Sequence, residues 1–205
     1  VNNTGAAIIG SKAEKAQIQA VYGDRTHVSG DYMPMFGTAT GVEEGKTPNA
    51  ELQHLSSILE LNIASCMPTD VQITEVKVTA GEAIVGEFVF DFIKGTVTPV
   101  EGTSSNTATL TVKDPATLQN GESAKFYLIV KPFTAKAADG LTISVNGSEK
   151  QISLKEDLVF AAGKTTSIDY TYYDVTQIQD SLLGKFRIKT MWVYGGTGAE
   201  YGGAG

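Results

Sequence analysis

Across residues 55–172, apolar side chains return at every second position, in short runs separated by glycine, proline and asparagine. A period of two sends alternate side chains to opposite faces of a strand, whereas a helix needs a period near 3.6. This stretch therefore reads as strands. Leu55, Ser57, Leu59, Leu61 and Ile63 share one face, and Ser56, Glu60 and Asn62 take the other. Over 71–79 the apolar phase slips between Ile73 and Val76, which predicts a bulge near Thr74 and Glu75. Phe88, Phe90 and Phe92 mark an aromatic core strand; Ala108, Leu110 and Val112 mark the next, ended by Asp114-Pro115. Phe126, Leu128 and Val130 follow, ended by Pro132.

The strongest local signal is Asn146-Gly147, between Leu141, Ile143 and Val145 on one side and Ile152 and Leu154 on the other. Both turn residues tolerate positive φ, as a two-residue hairpin requires. A last strand carries Ile168, Tyr170 and Tyr172 after a turn at Gly163. About seven strands with no helix between them predict an all-β fold, an antiparallel β-sandwich of Greek-key (immunoglobulin-like) or transthyretin-like type.

The flanks are less regular. Residues 11–23 fit a short helix capped by Ser11 and Glu14 and stopped by Gly23, while 17–22 fit a strand; the strand is preferred. Residues 174–184 predict a short helix after the core, with Asp174 as cap, Val175, Ile178 and Leu182 on one face, and Gly184 as stop. Beyond it Phe186, Ile188, Thr190, Trp192 and Tyr194 alternate again, ahead of a glycine-rich tail. The expected organisation is an N-terminal segment over 1–49 (a remnant of, or extension to, a first β-domain), a sandwich over 50–173, and a helix, strand and tail over 174–205.

Charge and chemistry narrow the function. With 16 basic against 23 acidic residues, the net charge of −7 argues against nucleic acid, and with Arg25 and Arg187 as the two arginines no guanidinium patch can be built. Cys66 is the single cysteine, which excludes an intrachain disulfide and a cysteine-based zinc site. His27 and His54 are the two histidines, and neither spacing suggests a nucleophile–base pair or a metal site. His54 falls on a polar strand face and His27 in a loop beside Arg25 and Asp31, so both read as ordinary solvated or hydrogen-bonded histidines. Gly163-Lys164-Thr165 echoes the end of a phosphate-binding loop. Leu158 stands where that motif needs glycine, however, and the β-branched residues that follow do not open a helix. Glu43-Glu44 matches no calcium-loop spacing. Neither catalysis, a cofactor nor a metal is expected. Tyr170, Tyr172, Tyr173 and Trp192 are candidate rings for stacking on sugars, with core packing as the commoner use.

Three stretches together resemble the fimbrillin-like surface proteins of Bacteroidetes. The first is Tyr32-Met33-Pro34-Met35-Phe36-Gly37 followed by His54-Leu55-Ser56-Ser57-Ile58-Leu59-Glu60-Leu61-Asn62-Ile63. The second is Val71-Gln72-Ile73-Thr74-Glu75-Val76-Lys77-Val78 with Ile84-Val85-Gly86-Glu87-Phe88. The third is Phe126-Tyr127-Leu128-Ile129-Val130-Lys131-Pro132, then Gly140-Leu141-Thr142-Ile143, and finally 158–164.

The resemblance implies an exported protein displayed at the outer-membrane surface or in a fimbrium, held to the membrane only through an N-terminal lipid outside this chain. It implies like subunits or other fimbrial proteins as partners, with a host protein or glycan as a further one. Some relatives polymerise by donor-strand exchange and others are adhesins. Phe186, Ile188, Thr190, Trp192 and Tyr194 are the candidate donor strand here; the alternatives are a strand of the same domain or the opening of another. The competing function is a non-catalytic glycan-binding module of a surface lipoprotein complex.

Overall fold

The alternation over 57–65 is realised as a nine-residue strand in which every second side chain is buried. The computed structural model describes residues 3–12, 15–30, 32–174 and 178, and these form seventeen strands. The first five are β1 (Thr4–Ile9), β2 (Gln17–Gln19), β3 (Met35–Thr40), β4 (Asn49–His54) and β5 (Ser57–Ser65). Next come β6 (Val71–Gln72), β7 (Glu75–Thr79), β8 (Val85–Asp91), β9 (Thr96–Ser105), β10 (Thr107–Val112) and β11 (Thr117–Leu118). The chain continues through β12 (Ser123–Val130), β13 (Phe133–Ala135), β14 (Leu141–Val145), β15 (Ser148–Ile152), β16 (Leu158–Phe160) and β17 (Thr165–Tyr172).

Eight of them make a β-sandwich. A five-stranded sheet in the order β15-β14-β7-β10-β2 faces a three-stranded sheet in the order β12-β5-β17. Their inner faces share one core: Leu59, Leu61 and Ile63 from β5 and Phe126, Leu128 and Val130 from β12 meet Val76, Val78, Leu110, Ile143 and Val145 from the other sheet. Burying each such side chain stabilises the fold by about 1.5–3 kcal/mol, so this shared core is what holds the layers together.

Two departures from the sequence reading have clear causes. Pairing is not wholly antiparallel: β17 runs parallel to β5, and β2 parallel to β10. A period of two says which face a residue takes and nothing about strand direction. The aromatic strand of Phe88 and Phe90 lies outside the sandwich core. It is the middle of a separate sheet, β1-β8-β9, and those rings pack with Ile9, Leu55 and Ile129 in a second cluster, while Phe92 is exposed. That cluster covers the outer side of β12, so the end of β12 is buried on both faces. The N-terminal residues are thereby built into the body, β1 against β8 and β2 against β10.

The Asn146-Gly147 hairpin forms as expected, whereas the bulge expected near Thr74 and Glu75 does not: the strand is interrupted there instead. Asn146 and Gly147 have φ of 49° and 85° and join β14 to β15 with Val145 opposite Ser148. The phase slip near Thr74 is a break between β6 and β7, filled by the Asn146 side chain. Its Oδ1 accepts from Thr74 N at 2.9 Å and Glu75 N at 3.2 Å, and its Nδ2 donates to Gln72 O at 2.7 Å. Of the helix expected over 174–184, Asp174 and Ile178 are described, joined by one backbone hydrogen bond of 3.1 Å from Ile178 N to Asp174 O. The rest lies outside the described residues. No helix among the described residues is long and apolar enough to cross a membrane.

Candidate functional site

An all-β molecule meets partners most directly through its strand edges, because an edge presents unpaired N–H and C=O groups. The edges of the sandwich are treated very differently. Odd-numbered residues of β12 turn their backbone groups away from β5, and side chains of the N-terminal segment satisfy them. Ile129 N donates to Gln17 Oε1 and Gln17 Nε2 donates to Ile129 O, both at 2.8 Å. Tyr127 N donates to Gln19 Oε1 at 3.0 Å, and Gln19 Nε2 donates to Lys125 O at 3.0 Å. His27 Nε2 lies 2.8 Å from Tyr127 O. Because a carbonyl can only accept, Nε2 carries the proton, and Nδ1 is left buried without a partner among the described residues.

Gln17 and Gln19 belong to β2 of the opposite sheet, so two amides stitch the sheets together where they meet. Gly10 makes room for this closure: at φ 74° a Cβ there would stand 2.3 Å from Ile129 O. Around the same edge, Gly23 N donates to Lys125 O at 2.9 Å, and Tyr22 packs edge-on against Phe126 with ring centroids 5.2 Å apart. This edge is shut.

The edges of the five-stranded sheet offer little. β15 is short, and its Glu149, Lys150 and Gln151 are exposed; charge on an edge discourages pairing. β2 has three residues.

The opposite edge of the three-stranded sheet is different. Ile58 N donates to Lys164 O and Cys66 N to Tyr172 O, each at 2.9 Å, and β17 pairs with β5 in parallel between these points. In that register the even-numbered residues bond to β5. Thr165, Ser167, Asp169 and Thr171 therefore direct their backbone groups outward. Among the described residues no strand pairs with them. Behind the edge, Ile168, Tyr170 and Tyr172 are buried in the core and hold the strand in place.

The solvent face of the three-stranded sheet carries a polar network. Glu60 Oε1 accepts from Lys125 Nζ at 3.0 Å and Ser167 Oγ at 3.1 Å, and Asn62 Nδ2 donates to Asp169 Oδ1 at 3.0 Å. Desolvation pushes the Glu60 carboxyl up, but the bonds from Lys125 and Ser167 outweigh it and hold its pKa below the ordinary glutamate value. Donation to the Glu60 carboxylate, and then its charge, raises the pKa of Lys125. Arg25 lies over the Tyr127 ring, 4.8 Å from its centroid.

The sequence-derived candidates fall into three groups. Tyr170 and Tyr172 are 6% and 2% exposed, so their rings present no face to a sugar; burial raises both phenol pKa values. Tyr173 is 37% exposed, with Lys150 Nζ 4.4 Å from its ring centroid. Phe186, Ile188, Thr190, Trp192 and Tyr194 lie outside the described residues. Of the residues set aside, Gly163 N donates to Ser56 O at 2.8 Å in a turn that opens a strand, not a helix. Glu43 pairs with Lys46 at the tip of the β3–β4 hairpin. No group of three metal-ligating side chains occurs among the described residues.

Sequence reasoning missed Gln17 and Gln19. The available signal was a pair of amides two apart in a strand-like run, in positions where alternation would call for apolar side chains.

Comparison with known proteins gives partial structural similarity at low identity. No family model matches the chain, and no curated protein matches it in sequence. Three solved structures of Bacteroides proteins, each provisionally described as a cell adhesion protein, are similar in shape. That from Bacteroides ovatus is 14% identical with a TM-score of 0.49, over 83% of this chain and 55% of its own. Those from Bacteroides uniformis and Bacteroides thetaiotaomicron are 15% and 17% identical with TM-scores of 0.41 and 0.39. They are matched over 82% and 85% of this chain and 61% and 65% of theirs. This chain thus spans 55–65% of the length of these three structures.

Proposed function

We propose that this chain is a non-enzymatic structural and adhesive protein of the bacterial cell surface, a fimbrial subunit or fimbrillin-like adhesin that joins to like subunits by strand complementation. One observation carries the reading: the sandwich leaves the outward groups of β17 without a partner strand among the described residues, while the β12 edge is sealed. An extended segment laid along β17 gains main-chain hydrogen bonds from the edge and specificity from alternate side chains. The donor is 185–194, whose Phe186, Ile188, Thr190, Trp192 and Tyr194 alternate as an added strand must. The sequence resemblance to fimbrillin-like proteins supports an exported location and like subunits as partners.

The test removes 185–205 and, separately, replaces Thr171 with proline. Proline at an outward-facing position deletes an edge donor and leaves the bonds to β5 in place. Electron microscopy and size-exclusion chromatography of the full chain should show polymers, and both variants should be monomeric. Polymers that persist in both variants would remove strand complementation at this edge.

A further inference from the structure

Apart from the strand edges, the fold builds a cleft that the assembly reading does not use. It has a volume of about 320 Å³ and lies where the base of the β3–β4 hairpin, the end of the β8–β9 hairpin and the turns after β12 and β16 converge. Phe36 and Phe90 contribute apolar wall, and Val97 adds to it. Gln53, His54 and Lys131 supply the polar groups.

Three features define what this cleft can hold. First, it contains hydrogen-bonding capacity that the protein leaves unspent. Neither the Gln53 amide nor either nitrogen of the His54 ring meets a partner among the described residues, and His54 Nδ1 is buried in that state. A buried polar atom without a partner is costly, so a ligand that satisfies it is favoured. The Gly163 turn lies close beside the His54 ring: a Cβ on Gly163 would stand 3.3 Å from His54 Cδ2.

Second, the cleft offers no free charge. Its one ammonium, on Lys131, is paired with Glu82, and no carboxylate lines it. An ionic ligand would be desolvated with nothing to balance it. Third, the wall is apolar and shaped. Phe36 is half-buried, and its ring is set against Phe90 with centroids 4.5 Å apart and planes at 48°. A purely aliphatic guest would fill this wall but leave Gln53 and His54 unsatisfied.

We propose that this cleft binds a neutral sugar residue. A pyranose has an apolar C–H face for the Phe36 wall and a rim of hydroxyls that can both donate and accept, as an amide and an imidazole require. The volume stands at the small end of the roughly 300–1,000 Å³ of small-molecule sites, which suits one end of a glycan. The inference deepens the adhesive reading by naming a ligand class. It is independent of strand complementation, because the cleft and the outward positions of β17 share no residue.

The experiment is saturation-transfer-difference NMR of the full chain with galactose, N-acetylgalactosamine, glucose, mannose and fucose, followed by calorimetric titration of the strongest binder. Ala162→Trp fills the cleft from an exposed turn position, and Gln53→Ala removes one exposed hydrogen-bonding side chain; thermal melting confirms that each variant is folded. The expected result is saturation transfer to at least one sugar, loss of binding in Ala162→Trp, and about three- to tenfold weaker binding in Gln53→Ala, the worth of one neutral hydrogen bond. No transfer to any of the five sugars would overturn the proposal, as would binding by Ala162→Trp equal to that of the unchanged chain.

Discussion

The carboxamide of Gln17 closes a ring of two hydrogen bonds on the backbone of Ile129, accepting from its N–H and donating to its C=O, both at 2.8 Å. A side chain thus does the work of a neighbouring strand. It does so from the sheet opposite, since Gln17 belongs to β2 and Ile129 to β12. The sandwich is thereby closed along one side, while along the other no strand among the described residues pairs with β17.

Replacing Gln17 with alanine should leave two buried backbone groups of Ile129 unsatisfied. Each orphaned group costs about 1–3 kcal/mol, so a loss of about 2–6 kcal/mol is expected in urea unfolding. Gln17→Glu should also destabilise, because the carboxylate can accept from Ile129 N but faces Ile129 O with no donor. Its deficit should shrink as pH falls and the acid is protonated, which the same titration at pH 4 and pH 7 would detect.

Asn146 serves the hairpin and the break between β6 and β7 at once. Asn146→Gly should keep the turn, because glycine accepts φ of 49°, but it removes the bonds to Gln72, Thr74 and Glu75. These bonds are exposed, so water takes their place and a loss of about 0.5–1.5 kcal/mol is expected. Asn146→Ala should lose more, adding strain at the turn. Chemical denaturation of the two variants side by side would show that order.

The Glu60 network gives a pH dependence of known sign. The folded-state pKa of Glu60 is lowered, so its contribution is present above the unfolded value of about 4.3 and lost as pH falls through the folded value. Lys125 is raised, so its contribution is present below about 10.4 and lost as pH rises through the folded value. Glu60→Gln should therefore flatten the acid limb of the stability profile below about pH 5. Thermal melts across that window are the measurement.

The tyrosines separate core from surface. Tyr172→Ala should cost about 3–5 kcal/mol, as for other large core truncations, whereas Tyr173→Ala should change stability by about 0.5 kcal/mol or less. Equal effects in denaturant titrations would contradict the burial described above.

How much of this was legible in the sequence depends on what alternation can encode. It shows which face a residue takes, so the buried side of β5 and β12 and the Asn146-Gly147 hairpin could be read directly. It does not encode partner or direction, which is why the parallel pairing of β17 with β5 and the transfer of Phe88 and Phe90 to a separate sheet were not foreseen. The β3–β4 hairpin escaped notice because its Gly37, Thr38, Ala39 and Ala50 carry no apolar rhythm and its strands are exposed. The cleft gathers Phe36, Gln53, Val97 and Lys131 from distant parts of the chain, and no local pattern announces such a meeting.

The most direct test of an open β17 edge is amide hydrogen exchange, followed residue by residue by NMR on the chain ending at 184, alone and with a synthetic peptide of residues 185–194. Alone, the amides of Thr165, Ser167, Asp169 and Thr171 should exchange fast beside protected Thr166, Ile168 and Tyr170, and the peptide should slow those four. Slow exchange at all of these positions without peptide, or no change when it is added, would contradict the account.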